Sequence, residues 1–123
     1  MIQSDLQIRT KQFALNAIKL FIELPKSDVF RVLGNQFIRS ATSVGANYRA
    51  ATLSRSKKEF YAKLCIVLEE SDECVYWLDL IEESGNWKTE KMIELKKEIR
   101  ELVLIFSKSR KTARESLTGS DKK

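Results

Sequence analysis

Residues 56–85, SKKEFYAKLCIVLEESDECVYWLDLIEESG, decide the fold. Phe60, Leu64, Val67, Leu68, Ser71, Cys74, Val75, Leu78 and Ile81 recur every three or four positions, which puts them on one side of an α-helix. Ser56-Lys57-Lys58-Glu59 is a capping box: the serine oxygen accepts from an orphan amide of the first turn, and the glutamate reaches back to the serine amide. Gly85 is a natural left-handed residue beyond the last turn. The spacing predicts a helix from about Lys57 to Ser84.

Working outward, the same periodicity gives three more helices. Upstream, Leu33, Phe37, Ala41, Val44, Tyr48 and Ala51 line a helix from about Val29 to Leu53, capped by Ser27 or Asp28. That segment also carries Gly34 and Gly45 among many small residues. Glycine costs about 1 kcal/mol against alanine inside a helix, so the pair points to close approach by another helix, or to a tolerated weakness. Before it, Leu6, Phe13, Ala17, Leu20, Phe21 and Leu24 predict a helix from about Leu6 to Leu24, with Ser4-Asp5-Leu6-Gln7 as its capping box and Pro25 as its stop. Downstream, Thr89 caps a helix from about Glu90 to Ser116, with Met92, Leu95, Ile99, Leu102, Val103, Phe106 and Ala113 at helical spacing. Four long helices with short connections predict an all-α, antiparallel up-and-down four-helix bundle over residues 1–116, followed by a polar, frayed tail over 117–123.

Composition agrees. One proline and four glycines in 123 residues are too few for a turn-rich β protein. Charged residues at 32% and hydrophobic residues at 43% suit amphipathic helices rather than a disordered chain. No apolar run approaches the ~18–20 residues a membrane span needs, and the N-terminal residues lack the basic-then-apolar order of a secretory signal. Cys65 and Cys74 have no metal-ligand spacing and cannot easily bridge each other on one helix. A reduced, cytoplasmic chain is the expectation.

Two helices carry more apolar surface than one core can take. At about 100° per residue, Ile8, Leu15, Ile18 and Ile22 lie well away from the first helix's main stripe, as do Ile66, Trp77 and Leu80 on the third. Wet apolar surface costs about 25 cal/mol per Å², and large patches of it mark interfaces. These seven residues are candidate oligomer contacts, against the plainer reading of a broad core face with some exposed side chains.

Charge is unevenly spread. The net +5 divides into +2 over residues 1–27, +5 over 28–58, −7 over 59–86 and +5 over 87–123. Three readings stay open. The acidic third helix pairs with basic helices within or between subunits, where arginine's rigid fork suits carboxylates. The charges are solvated faces worth little each. Or the basic turn (Arg55, Lys57, Lys58) and the C-terminal helix (Lys108, Arg110, Lys111, Arg114) form a phosphate-binding surface.

Catalytic signals are weak. The chain has no histidine, and it shows no Gly-rich phosphate loop and no nucleophile elbow. The Glu69-Glu70-Ser71-Asp72-Glu73 run invites a metal reading, but bundle di-metal sites need inward carboxylates on several helices, usually with Glu-x-x-His. The expectation is no enzyme, no metal and no cofactor.

Leu24-Pro25-Lys26-Ser27, Gln36, the run Arg39-Ser40-Ala41-Thr42-Ser43-Val44-Gly45-Ala46-Asn47-Tyr48-Arg49-Ala50-Ala51, then Arg55 and Phe60, resemble the bacterial four-helix-bundle proteins also known as 23S rRNA intervening-sequence proteins. Glu69 to Glu73 followed by Tyr76-Trp77-Leu78 matches one branch of them. Many members have Asn-Ile-Ala-Glu-Gly where this chain has Asn47 to Ala51, which places it in a Tyr-Arg-Ala branch. The resemblance implies a homo-oligomer, with ring-like pentamers known in the family, and an association with RNA or other nucleic acid. It carries over Arg39, Ser43, Asn47 and Arg49 on the second helix and Glu70, Asp72, Glu73 and Trp77 on the third. From these, Arg39, Asn47, Arg49, Glu70, Asp72 and Glu73 are the candidate polar network between helices or subunits. The two functional readings are an oligomeric nucleic-acid-binding accessory protein and a scaffold that displays a surface to another protein.

Overall fold

The structure, a computed structural model, describes residues 3–121, with side chains described over 5–119. Four helices follow one another, α1 Gln3–Glu23, α2 Asp28–Thr52, α3 Lys57–Gly85 and α4 Glu90–Asp121, and no strand occurs among the described residues. Each connection is four residues long, enough only to reverse the chain, so consecutive helices run antiparallel. Helix α1 packs on α2, α2 on α3, α3 on α4, and α4 returns to α1, while α1 and α3 stay diagonally apart. This is the up-and-down four-helix bundle that the apolar spacing predicts.

Side-chain oxygens start three of the helices. Ser27 Oγ accepts from Phe30 N at 3.1 Å, Ser56 Oγ from Glu59 N at 3.1 Å, and Thr89 Oγ1 from Met92 N at 3.2 Å. Each satisfies an amide that no helix carbonyl can reach.

Three helix ends differ from the sequence expectation. Helix α1 begins at Gln3, so Ser4 lies inside the helix instead of capping it, and its side chain lies outside the described residues. At the end of α3 the left-handed position belongs to Asn86 (φ 46°, ψ 41°), not to Gly85. Asparagine tolerates that region better than most side chains. Gly85 is there for space, because a β-carbon on it would run into the tip of the Phe30 ring. Helix α4 continues past Ser116 to Asp121, with Thr118 Oγ1 donating back toward the Arg114 and Glu115 carbonyls (3.4 and 3.0 Å).

The predicted stripes meet in one core. Phe13, Leu20, Phe37, Leu64, Leu78, Ile81, Met92, Ile99, Leu102 and Phe106 are at most 1% exposed. Full burial of such a side chain stabilises by about 1.5–3 kcal/mol. Phe13 meets Phe37 edge to face with ring centres 6.2 Å apart, and Tyr48 reaches Phe106 across the bundle at 5.5 Å. Thr10 also belongs to the core and was not in the predicted stripe. Its hydroxyl donates to the Leu6 carbonyl at 2.8 Å, which removes the penalty of burying it. Ser71 does the same toward Val67 at 2.7 Å. Gly34 marks the close approach its position suggested: a β-carbon there would lie 2.7 Å from Leu24 Cδ1 and 3.0 Å from Phe21 Cδ1, so α1 is seated directly on the α2 backbone.

The α3 terminus gives a stability prediction. Gly85→Ala should destabilise by about 1–3 kcal/mol through overpacking against Phe30, whereas Asn86→Gly should shift stability by less than about 1 kcal/mol because glycine adopts the same backbone freely. Urea unfolding midpoints of the two variants against the parent check both.

Candidate nucleic-acid interface

Helix α3 buries its apolar stripe and so turns its carboxylates toward its two neighbours. On the α2 side, Arg39 spans Glu70 (Nη1 to Oε1, 3.4 Å) and Glu73 (Nη2 to Oε1, 2.6 Å), with Gln36 Oε1 accepting from Arg39 Nε at 3.2 Å. Ser40 Oγ donates to the same Glu73 oxygen at 3.4 Å. The Arg39 hydrogen bond holds the Glu73 carboxyl below the usual range, and Glu73 in turn raises the Arg39 guanidinium. The Trp77 indole N–H lies close enough to Glu73 to lower it further, although its geometry is not that of a formed hydrogen bond. On the α4 side, Lys96 Nζ sits 2.8 Å from Asp79 and 2.7 Å from Glu82, and its hydrogen bond keeps Glu82 low. Lys88 and Arg100 approach Glu82 and Asp79 at 3.7 Å. Helices α1 and α4 are tied by Arg9, which forks onto Glu98 (3.0 and 2.8 Å) and reaches Glu101 at 3.2 Å, and by the Lys91–Glu23 pair.

The six-residue network expected from the resemblance is therefore brought together only in part. Arg39, Glu70 and Glu73 meet. Asn47 Nδ2 instead donates to the Ser43 carbonyl of its own helix at 2.9 Å. Arg49 lies on the other flank of α2, in a groove with Gln7, Thr10 and Lys11 of α1. Asp72 is exposed and has no ion pair among the described residues. Position on the helices explains the last two, since Arg49 is a ten-residue step along α2 and about 80° around it from Arg39, and Asp72 is turned by about 100° from Glu73. Ser40 and Gln36, which belong to the motif that carries the resemblance but not to the six expected residues, complete the cluster, and the α3–α4 set of Asp79, Glu82 and Lys96 is a second one outside that expectation. The spacing of Asp79 and Glu82, three residues apart on the α4 side, was the available signal.

Seven of the other cations gather at one end of the bundle, where α1 starts, α2 turns into α3 and α4 finishes. Arg55, Lys57 and Lys58 are exposed on the turn and first residues of α3. Lys108, Lys111 and Arg114 are exposed on α4 and Arg110 is half-buried. From Arg110 through Arg114 and Lys111 to Lys108 they sweep about 160° of the α4 surface. Lys108 closes the band: with Lys57 it lines a cleft floored by Leu6, Tyr48, Phe60 and Leu64, with Ser109, Thr112 and Ser116 along its α4 wall. Arg55, Lys58, Lys108, Arg110, Lys111 and Arg114 carry no ion pair among the described residues. The seven candidate cations thus form a curved band rather than a flat face.

The extra apolar stripe of α1 is open. Ile8 is 66%, Leu15 43%, Ile18 37% and Ile22 74% exposed. On α3, Ile66 is 38% exposed, while Trp77 and Leu80 are half-buried along the seam with α2. Val29, Val32 and Tyr76, not singled out from sequence, are more than half exposed around that seam. Cys74 is buried, and desolvation pushes its thiol far above the ordinary range, so it is no ready nucleophile. Among the described residues, no helix is long and apolar enough to cross a membrane.

A pH dependence follows from the α2–α3 cluster. Glu73 has a lowered pKa in the folded state, so its contribution is complete above the unfolded carboxylate value and is lost as pH falls through the folded one. Arg39→Gln should therefore cost stability at neutral pH, by less than about 1 kcal/mol for so exposed a pair, and the difference from the parent should vanish in acid. Thermal unfolding of both proteins from neutral to strongly acidic pH measures this.

A sequence model of the 23S rRNA-intervening sequence protein family matches residues 4–108. A crystal structure from Bacteroides thetaiotaomicron VPI-5482, described as a protein with unknown function from the S23 ribosomal protein family, superposes with a TM-score of 0.81. It is 28% identical, and the match covers 90% of this chain and 99% of that one. No curated protein matches this chain. The same arrangement of four helices and a family match over most of the sequence lead to one conclusion: the chain belongs to the 23S rRNA-intervening sequence protein family.

Proposed function

We propose that this chain is a non-catalytic, homo-oligomeric RNA-binding accessory protein of the cytoplasm, and that the cationic band at one end of the bundle is its RNA-contacting surface. One observation carries the reading. Arg9, Arg39, Lys91 and Lys96 are paired with carboxylates of neighbouring helices, while six cations at the α2–α3 turn and the end of α4 have no ion pair among the described residues. Unpaired lysines and arginines on a convex surface suit a phosphate backbone, where each contact releases counterions and no base need be read. The band's curvature favours a folded or looped RNA over a single extended strand.

Several features support the other parts of the reading. The absence of histidine leaves out the commonest general base near neutral pH, and burial keeps the Cys74 thiol protonated. Free Cys65 and Cys74 fit a reducing compartment. The exposed stripe on α1 favours self-association, and a ring such as the pentamers of the family would repeat the cationic band, so that weak contacts add through avidity.

The test is fluorescence anisotropy of the full chain with a structured ribosomal RNA fragment across a salt series. Binding should weaken steeply as salt rises. Replacing Lys108, Arg110, Lys111 and Arg114 together by alanine should flatten the slope of log affinity against log salt by about 3–4, with helicity unchanged. Parent-like binding by that variant removes this surface from the proposal. No binding by the parent at low salt removes the RNA reading, and capture of a protein partner instead would favour the scaffold.

A further inference from the structure

We infer that the outer face of α1 in one copy docks on the outer α2–α3 face of the next, a head-to-tail contact between unlike surfaces. The inference deepens the self-association proposed above and rests on it.

The α1 face has the form of a seam awaiting a helix. Ile8, Leu15 and Ile22 stand seven residues apart, with Ile18 between the last two and Lys11 between the first two. That is the a–d alternation of a two-helix contact, and it points away from the buried Phe13, Ala17 and Leu20. The charges on this outward side are Lys11 and Lys19, both exposed and without an ion pair among the described residues. Asp5 and Glu23 border this side, each about 60° around the helix from Ile8; Glu23 is committed to Lys91, and Asp5 lies at the N-terminal edge, beyond Ile8.

The second face is apolar with the opposite charge. The Arg39–Glu73 pair marks where antiparallel α2 and α3 are level, and about two turns further along both helices this places Val32 beside Leu80. Val29 and Tyr76 flank them, with Tyr76 packed on Trp77 at 5.1 Å between ring centres. Glu69, Asp72 and Glu83 are exposed around this patch and have no ion pair among the described residues. Glu70 and Glu73 are already taken by Arg39.

Charge decides between the possible pairings. Two α1 faces packed antiparallel about Leu15 would set Lys11 against Lys19. Two α2–α3 faces would set carboxylates against carboxylates. The unlike pairing places lysines against carboxylates around a shared apolar centre. Because α1 and α3 are diagonal in the bundle, each copy can use both faces at once, and a heterologous contact of this kind propagates from copy to copy until a ring closes.

Light scattering on a size-exclusion column tests this with the full chain. The parent should run as one multi-subunit species. Lys11→Glu with Lys19→Glu should dissociate it, as should Glu69→Lys with Asp72→Lys. Combining all four should restore the assembly, because both faces then carry reversed but complementary charge. All four sites are exposed, and circular dichroism confirms that each variant stays helical. An assembled parent indifferent to both double variants, or a quadruple variant that stays dissociated, overturns this interface while leaving self-association intact. Stronger assembly by Lys11→Glu alone identifies α1 packed on α1 and also overturns it. A monomeric parent at tens of micromolar refutes the self-association itself, and this contact with it.

Discussion

The placement of α3 carries the rest of the structure. Leu64, Val67, Ser71, Cys74, Leu78 and Ile81 of its stripe are fully buried, with Leu68 and Val75 packed against them, which leaves a strongly acidic helix wedged between two others. Its carboxylates can only face the seams with α2 and α4 or the solvent. Arg39 meets those in one seam and Lys96 those in the other. Solvent screens such surface pairs, so they contribute far less than the core.

That placement divides the cations of the chain into two populations. Arg9, Arg39, Lys91 and Lys96 are spent on carboxylates of neighbouring helices, while Lys11, Lys19 and Lys97 stay exposed without an ion pair among the described residues. The cations at the α2–α3 turn and near the end of α4 have no acidic helix beside them, because α3 is richest in acid in its middle and distal half, toward the opposite end. The segmental charges, +5 for residues 28–58 and −7 for 59–86, look from sequence as though they should cancel. In three dimensions they cancel only over part of their length, and the excess is pushed to one pole.

Legibility in the sequence follows the same physics. The core stripes were plain because burial demands a strict three-to-four spacing, and Phe13, Phe37, Leu78 and Ile99 all obey it. Thr10 escaped notice because its polar label hides a hydroxyl that bonds its own helix. Gly85 is the expected left-handed residue because glycine has first claim on such a site, and only the position of Phe30, far off in sequence, shows why glycine is needed one residue before the left-handed Asn86. Of the expected polar network, Arg39, Glu70 and Glu73 meet, whereas Arg49 and Asp72 were grouped with them through motif membership. Helical phase separates Asp72 from Glu73, and a ten-residue step along α2 separates Arg49 from Arg39. The partition of free and paired cations could not be read at all without knowing which helices are neighbours.

Cys74 sits in the middle of α3 with no exposed surface, while Cys65 on the same helix is half-buried. A thiol reagent can reach Cys74 only when the helices part, so the rate of its modification is a clock for opening of the whole bundle, built in without any label. Cys65 supplies the matching reference, a reading of surface accessibility from the same molecule under the same conditions.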